Sequence, residues 1–310
     1  MRYSGTITDI AGLVAGHYTD KENATGCTVV IAPEGAVGGV CVRGAAPGTR
    51  ETDLLEPGNL VEKVNAVALC GGSAYGLAAA TGVMEWCEKK GYGLDVGVAK
   101  VPIVPAAVLF DLGVGSAKVR PDAAAGYAAC EAASTAPLLQ GRVGAGTGCT
   151  VGKALGGQFA MACGIGSASV TLPSGVRVAA VVAVNALGDV FDHMTNTQVA
   201  GARDAQGNWL NISQLILGGA QSQSLLGSNT TIGIVATDAV LTKAQANRLA
   251  SVAHDGYAMT IRPVHTMNDG DTIFAMSYGD KTEDMTVLCT AAVEAVARAI
   301  VNAATAECEA

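Results

Sequence analysis

Aromatic side chains are scarce: Phe, Trp and Tyr together make up 4% of 310 residues. A core built around large rings is therefore excluded. Half of the residues are hydrophobic and Gly reaches 40. Such a core is built from Ala, Val, Leu and Gly, in layers where small side chains let backbones approach. No run of Lys and Arg occurs, and the formal net charge is −8. The electrostatic footprint of a nucleic-acid-binding protein is thus missing. No C-x-x-C pair occurs among nine cysteines spread from Cys27 to Cys308. This odd, scattered set reads as reduced, mostly buried thiols of a cytoplasmic protein. Residues 1–6 lack the apolar core of a signal segment. The run 178–184 is too short to span a bilayer, and the apolar stretch near 287–304 carries Glu294 and Arg298, so no membrane span is expected. His17, His193, His254 and His265 show no metal-ligand spacing with Cys or Asp. No metal or cofactor is expected, and each histidine reads as structural.

The chain alternates short apolar runs with helical patterns. Residues 27–32 (CTVVIA) and 40–42 read as two strands around a Gly-rich turn, 33–39. Residues 64–69 (VNAVAL) precede Gly71-Gly72-Ser73-Ala74-Tyr75-Gly76 and a helix that Gly91 stops. Residues 108–112 read as a strand and 121–134 as an Ala-rich helix. Residues 167–172 and 176–184 flank Pro173-Ser174-Gly175 as a hairpin. Its second run is apolar nearly throughout, as in a strand covered on both faces. Residues 201–228 accumulate Gln, Ser, Asn and Gly, as in Gln221-Ser222-Gln223-Ser224, and read as an exposed loop. The loop stops abruptly at 231–236 (TIGIVA), a buried-strand pattern. Thr242-Lys243-Ala244-Gln245 fits a capping box ahead of a helix. Residues 272–276 form a strand, and the tail from Glu283 a helix with Val293, Val296, Ile300 and Ala304 on one face. Hairpin-linked strands with about four helices favour a single-domain α+β layered sandwich over a βαβ array.

The junction Ser228-Asn229-Thr230-Thr231-Ile232 sets a hydroxyl between a polar loop and a rigid strand. A Thr hydroxyl is a poor nucleophile without a base. Cleavage after Asn229 would free the α-amine of Thr230. That amine titrates near about 7.7–8.0 and is held beside the hydroxyl by covalent geometry. Asp269-Gly270-Asp271 then places two carboxylates at a strand entrance. Alone it also reads as a turn. The Gly71–Gly76 turn lacks the G-x-S-x-G spacing of a nucleophile elbow and reads as close backbone packing. Gly144-Ala145-Gly146-Thr147-Gly148 is not a dinucleotide fingerprint.

Taken together, N-T-T-I at 229–232 and H-T-x-x-D-G-D-T-x-F at 265–274 resemble the DmpA-type family of self-processing hydrolases. That family holds aminopeptidase/D-esterases, β-peptidyl aminopeptidases and nylon-oligomer endohydrolases. The resemblance extends to GGSAYGL at 71–77, VLFD at 108–111, Gly152-Lys153 and Val184-Asn185, nearly the whole chain. It implies a four-layer αββα sandwich resembling N-terminal-nucleophile hydrolases with different strand connections. It implies a cut into 1–229 and 230–310, the two pieces staying together and assembling into homo-oligomers. It implies Thr230 as nucleophile, Asn185 as an oxyanion donor, Lys153 beside the nucleophile, and Asp269 and Asp271 orienting it or holding a substrate ammonium. Phe110 stands where the family carries a tyrosine, and Tyr75 is the alternative source of that hydroxyl. The expected activity is an aminopeptidase or amidase acting on small peptides or ω-amino amide oligomers. Two alternatives stand beside it: acyl transfer of the ornithine acetyltransferase type, and an uncut, non-catalytic binding protein.

Overall fold

The computed structural model describes residues 3–223 and 227–306. Ser224 and Cys308 lie outside the described residues. Eight strands carry the fold: β1 (Val14–Asp20), β2 (Thr25–Val42), β3 (Lys63–Cys70), β4 (Ala106–Val108), β5 (Ile165–Thr171), β6 (Arg177–Asn185), β7 (Thr230–Ala239) and β8 (Thr272–Lys281). Four helices accompany them: α1 (Ala79–Lys89), α2 (Ala123–Glu131), α3 (Lys243–Thr260) and α4 (Met285–Thr305).

The strand order is β5-β6-β7-β8-β2-β3-β4, with β1 also on β2. Most neighbours are antiparallel; β7 and β8 run parallel, as do β3 and β4. The expected pair of strands around a turn at 33–39 is corrected here. Residues 25–42 form one strand. Its first half pairs with β1 and β3, its second with β8, and the register with β3 shifts between Ile31 and Ala36. Gly35, at a φ of 77°, takes a conformation open to glycine without cost. The bulge bends the strand instead of reversing it.

This long strand joins two sheet layers. On one face, Cys27, Val29, Ile31, Ala66, Ala68 and Cys70 pack on α1 and α2. The alternating Val30, Ala32, Val67 and Leu69 face a second core shared with β6 and β7. Helices α3 and α4 cover the far side of β2, β5, β6 and β8. Four layers result, αββα. The small residues explain how they close. A Cβ on Gly166 would lie 2.1 Å from the Ala299 carbonyl of α4, and one on Gly39 2.4 Å from the Ala246 backbone of α3.

Local signals set the helix starts. The side chains of Asp122, Thr242 and Asp284 accept from backbone N–H groups at the N-termini of α2, α3 and α4. Thr242 and Gln245 form the expected capping box. Helix α4 is long and apolar enough to cross a bilayer by length and composition; here it is a core helix. Within the expected loop 201–228, Asn211 caps a short helix, Ile212–Leu217. Of the eight described cysteines, six are buried and Cys41 and Cys289 are half-buried.

Candidate active site

Strand β7 begins at Thr230 and is buried along its whole length. It lies between β6 and β8. Antiparallel register places Asn185, the last residue of β6, directly opposite Thr230. Parallel register places Ile232 beside Thr272, and a bridge joins Asn229 to Asp269. One end of the central strands thus gathers Thr230, Asn185, Asp269 and Asp271. Thr230 is 3% exposed and Asn229 fully buried.

The Asn229–Thr230 peptide is held from two sides. Thr230 Oγ donates to the Asn229 carbonyl oxygen. The Gly270 N–H donates to the same oxygen at 3.0 Å. A Cβ on Gly270 would lie 2.8 Å from Thr230 Oγ and 2.8 Å from the Ala46 carbonyl. Glycine is the residue that lets this backbone donor stand so near the hydroxyl. The loop carrying it is pinned, because Ala46 N–H donates to Asp269 O at 2.8 Å and Arg43 N–H to Asp271 O at 3.0 Å.

Lys153 follows a glycine at a φ of 73°. Its ammonium donates to Asn185 Oδ1 at 2.8 Å, Asn185 O at 3.0 Å and Ser228 O at 3.1 Å. These three acceptors match the three donors of an ammonium. Burial lowers its pKa from 10.5 to about 7, against a counter-pull from nearby thiols, Asp269 and Asp271. Asn185 Oδ1 also accepts from Thr150 N–H at 3.1 Å. With Thr150 Oγ at 3.4 Å, three donors on that atom fix the amide orientation. Nδ2 is thereby directed to the Phe110 carbonyl, 2.9 Å away.

The two carboxylates differ. Asp271 Oδ1 accepts the Thr231 N–H at 2.7 Å, and Oδ2 accepts His265 N–H at 3.2 Å and His265 Nδ1 at 2.8 Å. Asp269 Oδ2 accepts Thr266 N–H at 2.6 Å. Asp269 Oδ1 is buried with no hydrogen-bond partner among the described residues. Burial first, and the Asp271 charge second, raise the Asp269 carboxyl above the ordinary range.

A cavity of about 360 Å³ opens beside the junction. Phe110, Val114, Thr150, Lys153, Gln223 and Ser228 are among its walls. Phe110 therefore stands at the site, whereas Tyr75 is exposed under the Arg120 guanidinium, 3.9 Å from its ring centroid, and does not line the cavity. A larger open groove of about 950 Å³ on α3, α4 and β5 holds none of these residues. Sequence reasoning missed the Gly270 N–H, the Thr150 contact and the His265 contacts to Asp271. Backbone donors leave no side-chain signature, and the four histidines all read as structural.

The sequence profile of Peptidase family S58 matches residues 5–309. An uncharacterized aminopeptidase of Mycobacterium leprae is 48% identical, over 88% of this chain and 78% of that protein. A 6-aminohexanoate-oligomer endohydrolase of Agromyces sp. is 34% identical, over 85% and 71%. Among solved structures, an L-aminopeptidase D-Ala-esterase/amidase from Ochrobactrum anthropi superposes with a TM-score of 0.71 at 22% identity, over 97% of this chain and 86% of the other. That enzyme is described as a new variant among the Ntn hydrolase fold.

Proposed function

The chain belongs to peptidase family S58 and is a hydrolase of amide bonds, and we propose that it processes itself at Asn229–Thr230 to expose Thr230 as its nucleophile. The observation that carries this is the Thr230 hydroxyl seated against the Asn229 carbonyl, with Gly270 N–H on the same oxygen. Thr230 Oγ attacks the carbonyl carbon, and Asp269 takes the hydroxyl proton directly or through one water. Negative charge on the Asn229 oxygen is stabilised by the Gly270 N–H; one such donor contributes about 3 kcal/mol. The C–N bond breaks, the nitrogen takes a proton and becomes the Thr230 amine, and water hydrolyses the ester. Asp269 Oδ1, with no hydrogen-bond partner among the described residues, is then available to the new amine.

In the cut enzyme the amine is the base for the Thr230 hydroxyl. A charged Lys153, whose Nζ reaches Ser228 O and Asn185, disfavours protonating it. Asn185 keeps one amide hydrogen for a substrate oxygen after Phe110 takes the other. Small peptides and ω-amino amide oligomers are the proposed substrates, in a cavity of about 360 Å³.

Intact-mass analysis after incubation tests this reading. A chain of 31.0 kDa over 310 residues averages about 0.1 kDa per residue, so pieces of about 23 and 8 kDa are expected. The smaller must begin at Thr230. A panel of p-nitroanilides and aminohexanoate oligomers then finds the turnover. A chain that stays whole and inert sinks the proposal. The pieces should co-elute, because β7 lies between β6 and β8, and β8 is paired with β2. Separation without denaturant would contradict that.

Two further outcomes are expected. Gly270→Ala drives a methyl toward the nucleophile and a backbone oxygen; misplacement of about 1 Å costs on the order of 100-fold, read as the rate constant of self-cleavage. Cleavage also slows on acidification, with a midpoint above the ~4 of an ordinary carboxylate, because the raised Asp269 carboxyl gains its proton early as pH falls. Asp269→Asn should cut slowly and lose that acid limb. A limb unchanged in Asp269→Asn assigns the proton elsewhere.

A further inference from the structure

We propose that His265 is a positioning residue for this reaction, fixing through two donors the Asp271 carboxylate that holds the first peptide of β7. The inference rests on the reading of Thr230 as nucleophile. Asp271 Oδ2 receives the His265 backbone N–H at 3.2 Å and ring Nδ1 at 2.8 Å. Its other oxygen receives the Thr231 N–H at 2.7 Å. The carboxylate therefore bridges the histidine and the peptide immediately following Thr230. Turning that carboxylate would release the peptide and move the nucleophile.

Three features set His265 apart from a residue that merely fills a turn. Its φ is 56°, the left-handed region that few side chains adopt without cost. A turn alone is better served by Gly or Asn. In this conformation the backbone N–H and the ring reach the same oxygen. Next, the ring packs in a cluster of three, against two rings that also touch each other. Its centroid lies 5.0 Å from that of His254 and 6.0 Å from that of Tyr257. His254 in turn contacts the Cys41 carbonyl at 2.9 Å through Nε2. This packing restricts the imidazole beside Asp271. Finally, Nδ1 must carry the hydrogen to donate to a carboxylate. Nε2 is buried with no hydrogen-bond partner among the described residues. An unpartnered buried nitrogen is unfavourable. A ring present for packing alone would be better apolar; the imidazole is accounted for by its Nδ1–H.

The test compares His265→Asn with His265→Asp. Both residues accept the left-handed backbone, and they are nearly the same shape. Asn retains a side-chain donor for Asp271, whereas ionised Asp offers only acceptors. Self-cleavage rate constants come from intact mass, and kcat and KM from a p-nitroanilide that the wild type turns over. Unfolding midpoints are compared in the uncut Thr230→Ala background. The Asn variant should cut within about fivefold of wild type, and the Asp variant about 100-fold more slowly, with kcat lowered likewise and KM within about twofold. Should the Asp variant not fold, His265→Gly takes its place, with the same backbone freedom and no side-chain donor. An Asp or Gly variant that cuts as fast as Asn overturns the proposal. A wild-type chain that never cuts sinks the Thr230 reading, and this one with it. A wild type that cuts while the donor-less variants keep pace sinks this one alone.

Discussion

A Thr230→Ala chain should run as a single 31.0 kDa band after any incubation in which the wild type gives two. The substitution removes the oxygen proposed to attack and leaves the rest of the junction in place. Thr230 is buried at the start of β7, between Asn185 and the Asp269–Asp271 loop. The lost side chain is small, so the fold should survive with a modest cavity penalty. Turnover of every amide in the panel should vanish with cleavage, since a single atom serves both steps. Thr230→Ser separates the two requirements. It keeps the oxygen and drops the methyl that restricts χ1, so it should cut, at a reduced rate. If Thr230→Ala cuts like wild type, the hydroxyl is not the nucleophile. If the wild type cuts but transfers label from an N-acetyl amino acid to glutamate and hydrolyses nothing, the acyltransferase alternative takes over, with Thr230 unchanged in role.

The local elements were legible wherever one physical signal dominated. The nearly unbroken apolar run 176–184 announced a strand covered on both faces, and all of 178–184 is buried. Thr242 and Gln245 announced a helix start and supply it. Glycine misled at 33–39, because it serves turns and close approach alike. Gly39 admits α3, and Gly35 sits in a bulge of an unreversed strand. The site was legible only in part. The Asn-Thr junction and the Asp-Gly-Asp segment can be seen along the chain. That Asn185 faces Thr230 is a matter of strand register, which no spacing in the sequence encodes. The Gly270 N–H was invisible because every residue except proline carries one. Phe110 stood out as a ring lacking a hydroxyl. What the structure adds is its carbonyl, which holds the Asn185 amide. Tyr75, the alternative source of that hydroxyl, lies outside the cavity under Arg120.

Lys153→Met should slow self-cleavage and turnover by on the order of 100-fold or more. Methionine keeps an apolar stem of similar length and removes the ammonium. Three oxygens then lose the Lys153 donor: Ser228 O, Asn185 O and Asn185 Oδ1, the last keeping Thr150. The first lies just before the Asn229–Thr230 bond proposed to be cut, and the other two set the residue opposite Thr230. An Asn185 amide held only by Thr150 and the Phe110 carbonyl presents its nitrogen less firmly. Stability should respond differently, and its sign follows from linkage. The folded chain holds the Lys153 pKa at about 7, against 10.5 for an ordinary lysine, and burial is the cause. Between those values the unfolded chain binds the extra proton, so this group makes the fold more stable as pH rises from about 7 towards about 10. Below about 7 both states carry the charge, and the burial penalty is present in full. In the Thr230→Ala background, where no cut intervenes, the stability difference between the chain that keeps Lys153 and its Lys153→Met variant should therefore move in favour of lysine as pH rises. Other titrating groups contribute to both chains and cancel in the difference. Denaturant midpoints at pH 7 and pH 10 read it directly. A difference that is flat across that range would mean that the ammonium is not desolvated, and Lys153 would then act as an exposed charge with no hold on the junction.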